Sequence, residues 1–114
     1  MLIGVSLEGR EWTTVGPGCC LDSTGSGYSW WFAEGDLDVI KQKCELYENC
    51  VGVEYGEWNN KGLVLIDGPA VDGQSFNHED VGTGRISKSK GDTCHKGAIC
   101  FSFGKHEFAF WEKN

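Results

Sequence analysis

The sequence has no long apolar run and carries few basic side chains. A run of about 18 apolar residues, as a transmembrane helix needs, does not occur, so we expect no membrane insertion. Residues 1–12 lack the basic start and apolar core of a secretory signal, which leaves a mature or excised chain or a cytosolic one. The 10 basic residues are outnumbered by 17 acidic ones, and the net charge of −7 argues against a nucleic-acid partner.

Motifs of common enzyme classes are absent too. The sequence has neither a Gly-x-Ser-x-Gly elbow nor a His-Glu-x-x-His zinc motif. The stretch 22–27 is not followed by the lysine of a phosphate-binding loop, and 67–75 lacks the acidic spacing of a calcium-binding EF-hand. The histidines lie in polar or turn contexts typical of surface positions: His78, His95 and His106. We therefore expect no cofactor, no resident metal and no enzymatic role.

Cysteine, by contrast, is abundant. Six cysteines with scattered spacing in a small chain favour disulfides over free thiols, which predicts an oxidising, extracellular environment. Cys19 and Cys20 are adjacent and rarely bond each other, because the peptide between them would be strained, so each needs a distant partner. The alternative is a zinc site of Cys94, His95 and Cys100 with one of that pair, although the C-x2-C spacing typical of zinc is missing.

Glycine and tryptophan shape the expected fold. With 39% apolar residues, five tryptophans among them, the 114 residues can fill the core of one domain over residues 1–114. The 17 glycines and only two prolines suggest a loop-rich, largely β architecture. The chain is organised around residues 36–66. Apolar residues at helical spacing predict a short helix there, capped by Asp36: Leu37, Ile40, Cys44 and Tyr47.

A hairpin should follow this helix. From Cys50 the period changes to two, which predicts a strand with Val51, Val53 and Tyr55 on one face. Residues 63–66 are apolar on both faces, and a turn-forming stretch precedes them, so we expect a buried return strand with the helix packed across the hairpin. Other strands are predicted at 2–7, 12–15 and 85–88, and another hairpin from 98–103 and 106–111.

Aromatic residues cluster before the helix, at Tyr28, Trp30, Trp31 and Phe32. In a strand, alternation buries one of Trp30 and Trp31 and leaves the other near the surface. Tyr28, Trp31 and Trp58 are the candidates for exposed aromatics that stack on a sugar face or anchor a protein contact. Ordinary packing is an equally weighted alternative for these three side chains.

The stretch 36–66 combines a helix that carries a cysteine, Cys50 opening a strand with the run Val-Gly-Val-Glu-Tyr, and a hairpin return. This combination resembles the PAN/apple domain family, including PAN-like modules in extracellular proteins of algae and other protists. The rest of the chain is similar only in layout. The resemblance implies an α+β fold, with a curved antiparallel β-sheet cradling a single α-helix and stapled by disulfides. It also implies a role in protein or carbohydrate recognition.

The resemblance implies disulfide pairings as well. One joins Cys44 to Cys50. In a continuous helix these two cysteines would lie about 9 Å apart along the axis, beyond the ~7 Å limit on the Cα separation in a disulfide. The pairing therefore requires the helix to end near residues 48–49. The family also has a bridge between its terminal strands, which corresponds here to Cys19 or Cys20 bonded to Cys94 or Cys100. Which cysteine bonds which stays open.

Another family bridge joins the helix, one turn earlier, to the return strand. Its positions correspond here to Ile40 and Gly62, so both cysteines are absent together. Ile40 is expected to pack against Leu63 or Leu65 where the bridge would have stood.

These observations favour a secreted, non-enzymatic recognition or adhesion module that binds a protein or a glycan. The alternative is an extracellular structural subunit that self-assembles into a filament or sheath. A small thiol or metal protein is a third and weaker interpretation.

The charge is unevenly distributed along the chain. Residues 1–84 carry 14 acidic and 4 basic side chains (−10), whereas 85–114 carry 3 and 6 (+3). This asymmetry suggests head-to-tail self-association between copies. The lysines of one copy would face acids of the next: Lys88, Lys90, Lys96 and Lys105 with Glu54, Glu57 and Asp72. A chance bias of a solvated surface is the simpler alternative.

Overall fold

The computed structural model describes residues 11–24, 27–56, 60–67, 73–79, 81–87 and 97–108. These ranges contain α1 (Leu37–Leu46) and the strands β1 (Trp12–Pro17), β2 (Ser29–Glu34), β3 (Cys50–Tyr55), β4 (Lys61–Ile66), β5 (Ser75–His78), β6 (Gly82–Arg85) and β7 (Ile99–Phe103). Five strands form an antiparallel sheet in the order β1-β7-β3-β4-β2, and β5 pairs with β6 separately. The α+β class is confirmed. The strand predicted at 2–7 lies outside the described residues.

Helix α1 begins and ends on local signals. The Oδ1 atom of Asp36 accepts a hydrogen bond from the Val39 amide at 3.0 Å, as an N-cap residue does. The helix ends at Leu46, just before the predicted end, and the Tyr47 amide closes the last turn by donating to the Cys44 carbonyl. Nothing helical in the ranges given above is long and apolar enough to cross a membrane.

Helix α1 packs across the β3–β4 hairpin, as predicted. Ile40 is fully buried and packs in one core with Val53 and Val64. The prediction that Ile40 packs against Leu63 or Leu65 is wrong. Side chains alternate along β4, so these two leucines project from the opposite face of the sheet.

The sheet surface opposite α1, called the helix-free face below, has a core of its own. This core contains the buried residues Cys20, Tyr28, Leu63, Leu65 and Cys100. Strand β4 is buried from Gly62 to Ile66 because it contributes to both cores. The expected burial of both faces of this strand is therefore confirmed.

Strand β3 is irregular where it starts. A bulge between Cys50 and Gly52 shifts its register against β4. Val51 consequently packs against the core of the helix-free face, whereas Val53 packs beneath the helix. The predicted placement of Val51 and Val53 on one face is wrong.

Strand β7 is an interior strand of the sheet. It pairs with β1 along one edge and with β3 along the other, so neither edge is free for a hairpin partner at 106–111. The chain turns at Gly104 and Lys105, both with positive φ, and Phe108 then packs on the helix-free face. The predicted hairpin is wrong for residues 106–108, and residues 109–111 lie outside the described part of the chain.

Candidate functional site

Two disulfides within the described residues hold the elements around the site. Cys44–Cys50 joins the end of α1 to the start of β3, with Cα atoms 5.4 Å apart, and this pairing is confirmed. Cys20–Cys100 joins the segment after β1 to β7, with Cα atoms 5.3 Å apart. It is one of the pairings that the sequence left open.

The alternative zinc site is wrong. Cys20 and Cys100 are bonded to each other and Cys19 is also disulfide-bonded, so none of them offers a thiolate to a metal. Cys94 and His95 lie outside the described residues. Among the residues that the structure describes, no group of His, Cys, Asp or Glu side chains is placed to hold a metal ion.

Two of the predicted ligand-binding aromatics are buried. Trp31 is 3% exposed and packs against Tyr47 and Phe76, with ring centroids 5.7 and 4.8 Å away. Tyr28 is 8% exposed and lies in the core of the helix-free face. The predicted exposure of both side chains is wrong, because the helix-side core encloses the first and the segment after β7 packs against the second. Trp58 lies outside the described residues.

Alternation along β2 exposes Phe32 instead. Phe32 is 48% exposed, and Trp30 beside it is half-buried, with the ring centroids 5.3 Å apart. The expectation that only one of Trp30 and Trp31 is buried is thus confirmed. The sequence contained a signal for the correct choice: Ala33 continues the buried side of the strand and Glu34 continues the exposed side.

A groove of about 520 Å³ opens beside the paired strands β1 and β7, and we call it the β1–β7 groove. Its lining residues are Thr13, Val15, Ser23, Ser102, Lys105, His106, Glu107 and Phe108. Val15 and Phe108 are half-buried and apolar, whereas Thr13, Lys105 and Glu107 are exposed. The groove therefore combines an apolar part with a polar rim. Sequence reasoning missed it because it forms only when the segment after β7 folds back over the sheet.

His106 fixes the position of that segment. Its Nε2 atom shares a 2.8 Å hydrogen bond with the Tyr28 hydroxyl, and its carbonyl accepts a 2.5 Å hydrogen bond from the Ser102 hydroxyl. The Phe108 ring packs edge-on against the rings of both His106 and Tyr28, at 4.9 and 5.4 Å. Burial, aided by Asp67 and Asp22, raises the pKa of Tyr28 to about 12, so its hydroxyl keeps its proton in ordinary buffers. His106 is thus a structural residue rather than the surface histidine expected.

Glu54 is a second residue whose position the sequence did not predict. Its side chain is 5% exposed, on the sheet rather than at the surface. The prediction that Glu54 meets a lysine of another copy is therefore wrong. Burial raises the pKa of this carboxyl to about 7, and the hydrogen bond from the Cys20 amide opposes the rise only in part.

The other residues of the self-association hypothesis are mostly untested. Lys105 is exposed, as that hypothesis requires. The remainder lie outside the described residues: Lys88, Lys90, Lys96, Glu57 and Asp72. Self-association stays a prediction, with Glu54 removed from it.

Similarity to known proteins does not identify a family for this chain. The PAN/apple resemblance of residues 36–66 stays a prediction from the sequence. Comparisons with protein-family models, with curated proteins and with solved structures found no match.

Proposed function

We propose that the chain is a secreted, non-enzymatic recognition module of the PAN/apple type, which binds a protein or a carbohydrate on the helix-free side of its sheet. The β1–β7 groove is the observation that carries this proposal. Its volume of about 520 Å³ lies within the ~300–1,000 Å³ typical of ligand sites. Its lining also has the usual character of such sites, an apolar surface with a few convergent polar groups.

Two local features support the PAN/apple part of the proposal. The Cys44–Cys50 bridge ties the helix to the following strand, as the resemblance implies. Ile40 and Gly62, the positions of the missing family bridge, are neighbours: a Cβ atom on Gly62 would lie 3.1 Å from Cδ1 of Ile40. The Ile40 side chain thus reaches the position of Gly62, where the resemblance implies the second cysteine of the bridge.

The disulfides support secretion and also serve binding. Bonds of this kind persist in oxidising compartments, which favours an extracellular location. Cys20–Cys100 ties the loop that contains Ser23 to the interior strand β7, so two parts of the groove lining are covalently linked. A lining held in place before binding loses less conformational entropy when the ligand arrives.

Array binding tests the proposal. The purified, oxidised chain is applied to one array of glycans and one array of extracellular proteins. We expect selective binding to a few members of one array, and loss of that binding after reduction and alkylation. An absence of selective binding on both arrays would overturn the recognition function. Binding that survives reduction would contradict the role given above to the disulfides in holding the groove lining in place.

A further inference from the structure

The rim of the β1–β7 groove presents opposite hydrogen-bonding capacities close together. Lys105 and Glu107 are both exposed and both line the groove. A lysine ammonium only donates hydrogen bonds, and a glutamate carboxylate only accepts them. A small anion would be repelled by Glu107 and a small cation by Lys105. Because the attraction of either ion to one side chain is offset by repulsion from the other, the pair favours a ligand without net charge that carries donors and acceptors side by side.

The other lining residues of the groove narrow the class of ligand further. Thr13 and Ser23 add exposed hydroxyls, which both donate and accept. Val15 and Phe108 add half-buried apolar surface. A pyranose ring has this combination, because its hydroxyls occupy the edges and its C–H groups form an apolar face. Aromatic rings cover such apolar surfaces well.

We propose that the β1–β7 groove binds a neutral saccharide, with neighbouring hydroxyls of one sugar ring bridging Lys105 and Glu107 and its C–H face against Phe108. This inference rests on the proposed recognition function and specifies its ligand class and site. Tyr28 and Ser102 act as positioning residues, because their hydrogen bonds to His106 hold the groove wall in place.

The conformation of the turn supports this assignment. Gly104 and Lys105 have φ values of 69° and 64°, and the Gly104 amide donates to the Glu11 carbonyl at 3.0 Å. The direction in which Lys105 leaves the sheet is thus set by the backbone. The Lys105 side chain therefore starts from a defined point on the rim, from which its flexible stem can bring the ammonium to a bound hydroxyl.

The test uses a microarray of neutral and acidic oligosaccharides, followed by calorimetric titration of the neutral saccharide with the strongest signal. Lys105→Gly removes the donor and suits the positive φ, and Glu107→Gln removes the charged acceptor. Each variant should weaken binding about tenfold, as expected for the loss of a hydrogen bond to a charged group. Their thermal midpoints should match that of the parent chain, since both side chains are exposed.

Matched control residues lie near the opposite edge of the sheet. Glu34 and Lys61 are an exposed acid and an exposed lysine, opposite each other on β2 and β4. Three strands, β7, β3 and β4, lie between β1 and β2 in the sheet. Glu34→Gln and Lys61→Ala should therefore leave the affinity unchanged.

The failures of the two proposals are distinguishable. Binding that Phe32→Ala abolishes, and that neither groove variant alters, would move the site to the β2 edge and overturn the groove inference alone. Selective binding to proteins or only to acidic glycans would overturn the neutral-saccharide inference and leave the recognition function standing. No selective binding to any member of the glycan and protein arrays would overturn both.

Discussion

Glu54 accepts a hydrogen bond from the backbone amide of Cys20, with 2.9 Å between its Oε2 atom and the amide nitrogen. The register of β3 with β7 places Glu54 opposite Cys100, the disulfide partner of Cys20. The buried carboxyl thus lies beside both ends of the long-range bridge. Its Oε1 atom accepts no hydrogen bond from any described residue. A charge at this position is therefore poorly compensated.

This arrangement predicts that Glu54 destabilises the fold as the pH rises. Its pKa is about 7 in the folded chain against 4.5 ordinarily, so between these values the folded state keeps a proton that the unfolded chain releases. The stabilising contribution is fully present below pH 4.5 and is lost as the pH passes 7. Since one pKa unit corresponds to about 1.4 kcal/mol, the loss amounts to roughly 3 kcal/mol.

Denaturant titrations across this pH window, monitored by tryptophan fluorescence, measure the effect. Glu54→Gln should lack this part of the pH dependence, because glutamine does not ionise. Glu48→Gln, which removes an exposed acid near the end of α1, controls for the change in net charge. Parallel profiles for the parent chain and Glu54→Gln would contradict the prediction.

The sequence predicted the elements whose signals are local. Asp36 marks the start of α1, the apolar spacing of Ile40 and Cys44 marks its buried face, and the change of period at Cys50 marks β3. All these signals lie within a few residues of the structure that they specify. The helix and the β3–β4 hairpin were therefore predictable without knowledge of the remaining chain.

Non-local pairing was not predictable in the same way. The hairpin expected after residue 103 fails because β7 is enclosed by β1 and β3, which are distant in sequence. Trp31 is buried rather than exposed because the helix covers its face of β2, and within the strand only the alternation of Ala33 and Glu34 indicates which face that is. The alternation of β3 predicts that Glu54 lies on a polar face of the strand, yet that face of the sheet carries a second core. The β1–β7 groove also depends on a non-local contact, the packing of the segment after β7 on the sheet, and no local sequence signal predicts that contact.

The two described disulfides should differ in their contributions to stability. Cys44–Cys50 spans a sequence separation of 6 and Cys20–Cys100 a separation of 80. The chain-entropy model assigns about 2.4 kcal/mol to a loop of the first size and about 4.5 kcal/mol to the second. Replacing both members of each pair by alanine, with denaturant unfolding as the measurement, should cost more for the Cys20–Cys100 pair. Equal losses, or the reverse order, would show that strain or unfolded-state structure outweighs loop entropy.

The short distance from Cδ1 of Ile40 to a Cβ placed on Gly62 predicts that a further bridge can be introduced between these positions. The double variant Ile40→Cys with Gly62→Cys should form a disulfide on oxidative refolding, detectable by peptide mapping without reduction. Ile40→Cys alone is the control and should keep one free thiol. A new Cβ on Gly62 would also lie 3.0 Å from the Glu54 carbonyl, so Gly62→Ala should be destabilised without any compensating bond. Two unbonded thiols in the double variant would remove a main support of the PAN/apple resemblance.

Trp31 and Phe32 should respond oppositely to truncation. Trp31→Ala removes a buried side chain that packs against Tyr47 and Phe76, and should cost about 3–5 kcal/mol of unfolding free energy. Phe32→Ala removes a side chain that is 48% exposed and should cost less than about 1 kcal/mol. Chemical denaturation of both variants is the measurement. A nearly unchanged stability for Trp31→Ala would restore it as a candidate contact residue.

The charge asymmetry leads to the last prediction, which concerns the alternative function as a self-assembling subunit. Residues 1–84, the acidic body, carry a net charge of −10, and residues 85–114, the basic tail, carry +3. The body of one copy is therefore complementary in charge to the tail of another. A head-to-tail contact of this kind propagates into a ring or a filament rather than closing as a two-fold dimer. We therefore expect weak self-association of the chain in dilute salt. Since Glu54 is buried, the acids in that contact must be others of the body.

Sedimentation velocity across a range of salt and protein concentrations measures this association. The Debye length shrinks from about 10 Å at 0.1 M salt to about 3 Å at 1 M, so contacts between exposed charges should weaken and the chain should become monomeric. Association that persists at the highest salt would instead indicate an apolar interface. A chain that stays monomeric at high protein concentration and low salt would contradict the prediction, and the asymmetry would then be a bias of the solvated surface. The recognition function would stand alone in that case, because ligand binding in the β1–β7 groove does not require a second copy.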